Sequence, residues 1–214
     1  MLDNWFMDFP QHVKKYFQNH TISPEIVKEF KIGWNGFQIT IPIFNKNGEK
    51  IFYKYRRDPA INTGPKYLYD SGSCLALYGV HKLKDHKTIF IVEGEFDALA
   101  LWSHNIPAVS STGGSLSFRG EWAEMFDNKE VYICFDNDLA GARGMLKVLS
   151  TLPEAKIILL PEFENVKDIS DYYAKDYDFL PLIKTAKQYI DKEEVKEDAA
   201  IRRGAGEKTY FHDA

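Results

Sequence analysis

Two acidic runs carry the side chains of this chain best suited to chemistry: Glu93-Gly94-Glu95-Phe96-Asp97 and Phe135-Asp136-Asn137-Asp138. Asp136 and Asp138 stand two residues apart, a spacing that lets both carboxylates aim at one ion from a turning backbone. Neighbouring carboxylates repel one another, and a divalent cation relieves that repulsion. Mg²⁺ takes one or two carboxylates together with waters and phosphate oxygens, so the pattern points to metal-assisted phosphate chemistry. Ala140-Gly141 follows and opens a predicted helix whose N-terminal N–H groups and dipole favour an anion. A further acid, Asp168, stands in Val166-Lys167-Asp168-Ile169-Ser170-Asp171. Plainer readings compete. A single acidic pair is usually a solvated turn. Asp97 serves equally as a helix cap or as a support behind the site, and Glu95 and Asp171 lean towards solvent or capping.

The flanking residues say how these acids are positioned. Ile89-Phe90-Ile91-Val92 precedes the first run and Val131-Tyr132-Ile133-Cys134-Phe135 leads into the second. Short apolar runs closed by polar residues read as buried strands of a parallel sheet. Acids at the carboxyl ends of such strands lie where open α/β sheets place their sites. From residue 88 onward strands and helices alternate: strands over 88–92, 108–111, 131–135 and 156–160, helices near 96–104, 118–126, 140–149, 169–174 and 179–190. That alternation predicts an α/β fold, a Rossmann-like parallel sheet with helices on both faces.

The first part of the chain reads differently. A helix is expected near 9–19, and Ser23-Pro24-Glu25 starts a second with Pro at its first position. Residues 37–44 and 50–57 form a predicted hairpin around Asn45-Lys46-Asn47-Gly48. Its second strand and the following loop carry Lys50, Lys54, Arg56, Arg57 and Lys66, either a groove for nucleic acid or an ordinary charged strand face. Trp34, Tyr53, Tyr55, Tyr67 and Tyr69 offer rings on which bases could stack, against the commoner role of core or sheet cover, and Gly113-Gly114 could bring backbone close to a phosphate, against the commoner strand-to-helix turn. The composition shifts near Lys84-Asp85-His86-Lys87. The expected organisation is a smaller α+β subdomain over 1–86, the α/β domain over 87–190, and a charged tail or linker over 191–214.

Bulk properties narrow the class. The chain has 214 residues, 44% hydrophobic and 27% charged, as in ordinary globular proteins. Its net charge of −4 argues against a whole-surface grip on nucleic acid and leaves room for a local basic patch. Two cysteines, Cys74 and Cys134, argue against a disulfide framework and exclude a Cys-rich structural zinc site within this sequence. No apolar stretch reaches spanning length and no signal-peptide pattern opens the chain, so the expectation is a cytoplasmic protein with no membrane partner.

The order Glu-Gly-x-x-Asp, then Asp-x-Asp-x-Ala-Gly, then Lys-Asp resembles the Toprim domain. The first half narrows the resemblance. Ile22-Ser23-Pro24-Glu25-Ile26-Val27, Ile41-Pro42-Ile43 with Asn47-Gly48-Glu49-Lys50-Ile51, Gly64-Pro65-Lys66-Tyr67-Leu68 and Leu77-Tyr78-Gly79 are similar to segments of the catalytic core of bacterial and phage-type (DnaG-like) DNA primases. The similarity covers about residues 12–190. Glu-Gly-Glu with Lys-Asp downstream is most like phage primase-helicases.

The resemblance implies an enzyme that makes short RNA primers on a single-stranded DNA template from NTPs, in the host cytoplasm if phage-encoded. It implies Mg²⁺, with Mn²⁺ as the alternative ion, held by Glu93, Asp136, Asp138 and Asp168. The first three would be catalytic, with Asp97 supporting them. Lys66 and Arg56 or Arg57 would contact nucleotide phosphates or template. No zinc ribbon or helicase module is encoded here, which implies a helicase or separate zinc-ribbon partner, or a piece of a larger protein. The competing readings are a Toprim-type nuclease and a non-catalytic module that binds nucleic acid or a replication partner.

Overall fold

The computed structural model describes residues 8–161 and 166–188. The chain opens with α1 (Gln11–Asn19) and α2 (Pro24–Glu29). Ser23 caps α2, its hydroxyl accepting from the Ile26 N–H, with Pro24 in the first turn as predicted. Strands β1 (Gly33–Trp34), β2 (Gln38–Phe44), β3 (Lys50–Arg57) and β4 (Tyr67–Tyr69) follow and form an antiparallel sheet in that order. The turn between β2 and β3 places Gly48 at φ 81°, a left-handed conformation natural to glycine. Cross-strand register decides which side chains turn inward. Ile39, Ile41 and Ile43 of β2 are fully buried, and their partners on β3 are Arg56, Lys54 and Phe52. Two cations of the hairpin therefore share the inner face of the sheet with isoleucines.

The second sheet has six strands: β5 (Leu77–Tyr78), β6 (Thr88–Val92), β7 (Ala108–Ser111), β8 (Glu130–Cys134), β9 (Lys156–Ile157) and β10 (Lys187–Gln188). Their spatial order is β10-β9-β8-β6-β7-β5. The inner four are parallel, and β5 and β10 close the edges antiparallel. Helices α3 (Glu95–Ser103) and α5 (Ile169–Tyr173) cover one face, and α4 (Leu139–Leu149) covers the other; α6 (Leu180–Lys184) ends the helical part. The strands alternate between two cores. Phe90, Val92, Tyr132 and Cys134 pack with α3, α5 and the first subdomain, while Ile89, Ile91, Val131 and Ile133 pack with α4. Each such fully buried apolar side chain contributes roughly 1.5–3 kcal/mol. This is the expected α/β architecture, a parallel sheet covered on both faces and preceded by a smaller α+β unit.

Three local expectations change. Residues 120–126 form a 3-10 helix rather than an α-helix, burying Trp122 and Phe126 against the α4 core. The helix expected over 179–190 stops at Lys184, and Lys187–Gln188 pair instead with the open edge of β9. An exposed strand edge offers unpaired backbone groups that a short C-terminal segment can satisfy. Finally, Leu77–Tyr78 precedes residue 87 in sequence yet is a hydrogen-bonded edge of the second sheet. The tail expected over 191–214 lies outside the described residues. Both cysteines are free thiols, Cys134 buried and Cys74 exposed. Among the described residues no helix is long and apolar enough to cross a membrane.

Candidate active site

The chain passes from β6 through α3 to β7 on one side, then crosses to β8 on the other side of β6. The carboxyl ends of β6 and β8 are therefore adjacent at the point where the winding reverses, the position at which open α/β sheets leave a crevice. Glu93 follows β6 directly, and Asp136 lies two residues beyond β8. A cavity of about 300 Å³ opens there. Glu93, Asp97, Asp136 and Asp168 line it from the second sheet, and Lys54, Lys66, Tyr67 and Tyr69 line it from β3, the following loop and β4.

Each acid is held by its element. Asp138 is the N-cap of α4, its Oδ1 accepting from the Gly141 N–H at 2.8 Å. The helix start expected to lie open to an anion is thus partly closed by Asp138 itself. A Cβ at residue 141 would collide with the Asp136 carbonyl oxygen, so glycine is what lets α4 begin this close to the acid. Asp168 caps α5 in the same way, accepting from the Asp171 N–H at 2.8 Å. The Asn137 N–H donates to the Lys167 carbonyl at 2.9 Å, which ties the loop after β8 to the loop before α5. Asp97 accepts from the Gly94 N–H at 3.1 Å, so it caps α3 while also facing the cavity.

The electrostatics record the crowding. Burial, then repulsion from Glu93, Asp168 and Asp138, pushes the Asp136 carboxyl up to about 7 against the opposing pull of Lys66. Burial and the Asp138 charge raise Glu93; burial and Asp171 raise Asp168. Asp97 is driven well above the carboxylate range, first by burial and then by Asp136, Asp168 and Glu93. His20, also on the cavity wall, is pushed down by burial, with Lys66 and Arg56 adding to the effect.

The acids suit a hard divalent cation. Glu93 Oε2 is buried without a hydrogen-bond partner, an arrangement that is costly unless something else satisfies it. All four groups offer oxygen. Among the described residues no three acidic, His or Cys side chains close on a single point. An ion here would take one or two of these carboxylates and complete its shell with water and phosphate oxygens.

The basic residues divide. Lys66 is exposed, lines the cavity and has no ion pair among those described. Arg56 stands behind the wall, its guanidinium over the rings of Tyr16 and Tyr67 and donating to the Arg57 carbonyl. Arg57 packs along the 57–66 loop against Gly64 and is not among the lining residues. Lys54 is only 4% exposed and pairs with Glu95, 1% exposed, at 2.6 and 2.8 Å. The expectation that Glu95 faces solvent or caps a helix is overturned. Glu95 opens α3 on its buried side, where the inward register of β3 delivers an ammonium. The wall also holds Tyr16, His20, Tyr67, Tyr69, Gly113 and Gly114, which sequence reasoning assigned to core, sheet cover or a plain turn or left unassigned. A hint was present for Lys54: it falls two residues from Phe52 on the same strand, the period of one sheet face.

Known proteins are similar to this chain in sequence and in fold. The sequence profile of the Toprim-like family matches residues 90–173. The "Gene 57 protein" of Mycobacterium phage D29 is 32% identical over 126 residues, which cover 58% of this chain and 80% of that protein. The chain belongs to the Toprim-like family. The DNA primase of Thermotoga maritima is 33% identical over 150 residues, 65% of this chain. The chain spans 26% of that primase's length. In fold, the Toprim core here superposes on the E. coli primase catalytic core with a TM-score of 0.68 at 19% identity, covering 90% of this chain and 77% of that one.

Proposed function

We propose that this chain is the nucleotidyltransferase core of a DNA primase, joining NTPs into short RNA primers on single-stranded DNA. The observation that carries the reading is the meeting of two walls: carboxylates of β6 and β8 at the reversal of the sheet, and Lys66 from the first subdomain across the cavity. In the reaction a ribonucleotide 3′-hydroxyl attacks the α-phosphorus of an incoming NTP. One P–O bond forms, the bond to the leaving group breaks, and pyrophosphate departs.

Glu93 and Asp136 would hold Mg²⁺ or Mn²⁺, with Asp138 and Asp168 contributing the oxygens their caps leave free. When bound, the ion supplies charge stabilisation for the attacking and leaving oxygens. Lys66 binds the triphosphate as a point charge. Arg56 and Arg57 extend the basic side away from the cavity towards the template. Asp97, buried behind Asp136, fixes the loop after β6 and keeps its neighbours close. The division at residues 86 and 87 separates the wall that receives nucleotide and template from the Toprim wall that receives metal, with β5 crossing it in space. A helicase or a zinc-ribbon protein would supply template selection.

The test is template-directed primer synthesis with labelled NTPs and Mg²⁺, in the presence and absence of a partner helicase. Asp136→Ala should abolish synthesis while circular dichroism is retained. Strand cleavage without NTPs, with no synthesis under any condition, would replace this reading by a Toprim nuclease. Absence of acid-dependent metal binding would replace it by a binding module.

A further inference from the structure

All three N–H bonds of the Lys54 ammonium are spent. It donates to both oxygens of Glu95, at 2.6 and 2.8 Å, and to the Thr112 carbonyl at 2.9 Å. The rings of Tyr67 and Tyr69 lie 4.3 and 5.5 Å from it, and the Tyr69 hydroxyl donates to the same Thr112 carbonyl at 2.8 Å. Thr112 in turn accepts from the Ala76 N–H through its own hydroxyl. One buried cation from β3 thus joins the first residue of α3, two positions beyond Glu93, to the loop after β7, which carries Gly113-Gly114, with β4 as its cover.

A cation with no donor left does not bind phosphate without breaking this set. A fully buried ion pair is also rarely kept for stability alone, since apolar residues of similar volume often serve as well. We propose that Lys54 and Glu95 are positioning residues: a latch that registers the basic wall against the Toprim wall and so sets where Lys66 stands relative to Glu93 and Asp136. This rests on the primase reading for its consequence, nucleotide binding, and on geometry alone for the latch. The acids that would hold metal all belong to the Toprim sheet, so loosening the latch leaves them in place. Lys66 comes from the other side, so nucleotide affinity depends on it.

The test uses the full chain with Lys54→Met and Glu95→Leu combined, which removes both charges and conserves volume. Spin labels at Leu68→Cys and Leu116→Cys, both exposed, report the separation of the two walls in a Cys74→Ser background. Expected are a broadened distance distribution, Mn²⁺ affinity within about threefold of wild type by calorimetry, and NTP affinity weakened by about tenfold or more. An unchanged distance distribution overturns the latch, whatever nucleotide binding does. A broadened distribution with wild-type NTP affinity overturns the positioning role. Failure of the wild-type chain to bind NTP at all would sink the primase reading instead, while the distances still decide the latch.

Discussion

The two walls of the cavity are built on opposite principles. On the Toprim side backbone N–H groups at helix starts hold Asp168 and Asp97 on the wall, at α5 and α3, and Asp138, which is not among the lining residues, at α4. On the other side the cations reach in from a strand face and a loop. Lys54 is placed by register and by its partner, and Lys66 by the return of the chain alongside β3, where the Arg57 N–H donates to the Lys66 carbonyl at 3.0 Å. Each wall is therefore vulnerable in its own way. The acidic wall is locally rigid and electrostatically strained, so changes there should cost chemistry and spare the fold. The basic wall depends on docking, so changes there should cost either stability or nucleotide affinity according to burial.

The strongest way to break this contrast is at Asp136. Asp136→Asn should lower primer synthesis at least about a hundredfold, with a metal-free Tm equal to or above wild type, because Glu93, Asp138 and Asp168 lose a repelling neighbour. A large fall in Tm would show that Asp136 holds the fold. Next is Glu95→Ala, which strands the Lys54 charge in the interior. Chemical denaturation should reveal a loss of about 3–5 kcal/mol, far more than any single change among the cavity acids, and equal losses on both sides would dissolve the distinction.

Lys66→Ala should be milder. A tenfold or so rise in the KM for NTP is expected, about 1.4 kcal/mol, with stability within roughly 0.5 kcal/mol and a smaller effect at high salt. A matching fall in kcat with KM unchanged would move Lys66 from substrate binding to the transition state.

A purely pH-dependent effect lies at the seam between the halves. His81 packs against Phe30 and Phe44, and burial, with Lys82 and Lys31, pulls its imidazole down to about 4. The unfolded histidine takes up its proton near pH 6.5 and the folded one only near 4, so stability falls as pH drops through that window. After discounting for partial exposure the loss is about 1–2 kcal/mol. Between pH 7 and 4 the urea midpoint of wild type should fall relative to that of His81→Leu by the equivalent of this loss. The raised carboxylates of the Toprim wall act in the other direction over the same range, so it is the difference between the two proteins that reports His81. Parallel curves would rule this contribution out.

Much of this was legible in residues. Strands 88–92 and 108–111 have the predicted bounds because β-branched and aromatic runs between polar breaks leave few alternatives. The Ser23 cap and the Gly48 turn are local chemistry. Glu93, Asp136 and Asp168 could be singled out because strand-end acids are unusual in number and order. Glu95 was not legible: its fate depends on a lysine 41 positions away. Nor was the end of the chain's last helix, which depends on a free edge of β9. Arg56 and Arg57, equivalent as neighbours in sequence, point to opposite sides of β3, and only one lies near the cavity wall.

Interactions among near neighbours along the chain suffice to set most of the elements, the parallel sheet, the caps and the acids at the carboxyl ends of β6 and β8. Only the tertiary structure decided that those acids face Lys66 across one cavity, that Lys54 and Glu95 are buried together, and that β5 crosses to the other half. These depend on the register of β3 and on the docking of two sheets, where contacts are made between residues far apart in the chain and side-chain period alone cannot choose the face.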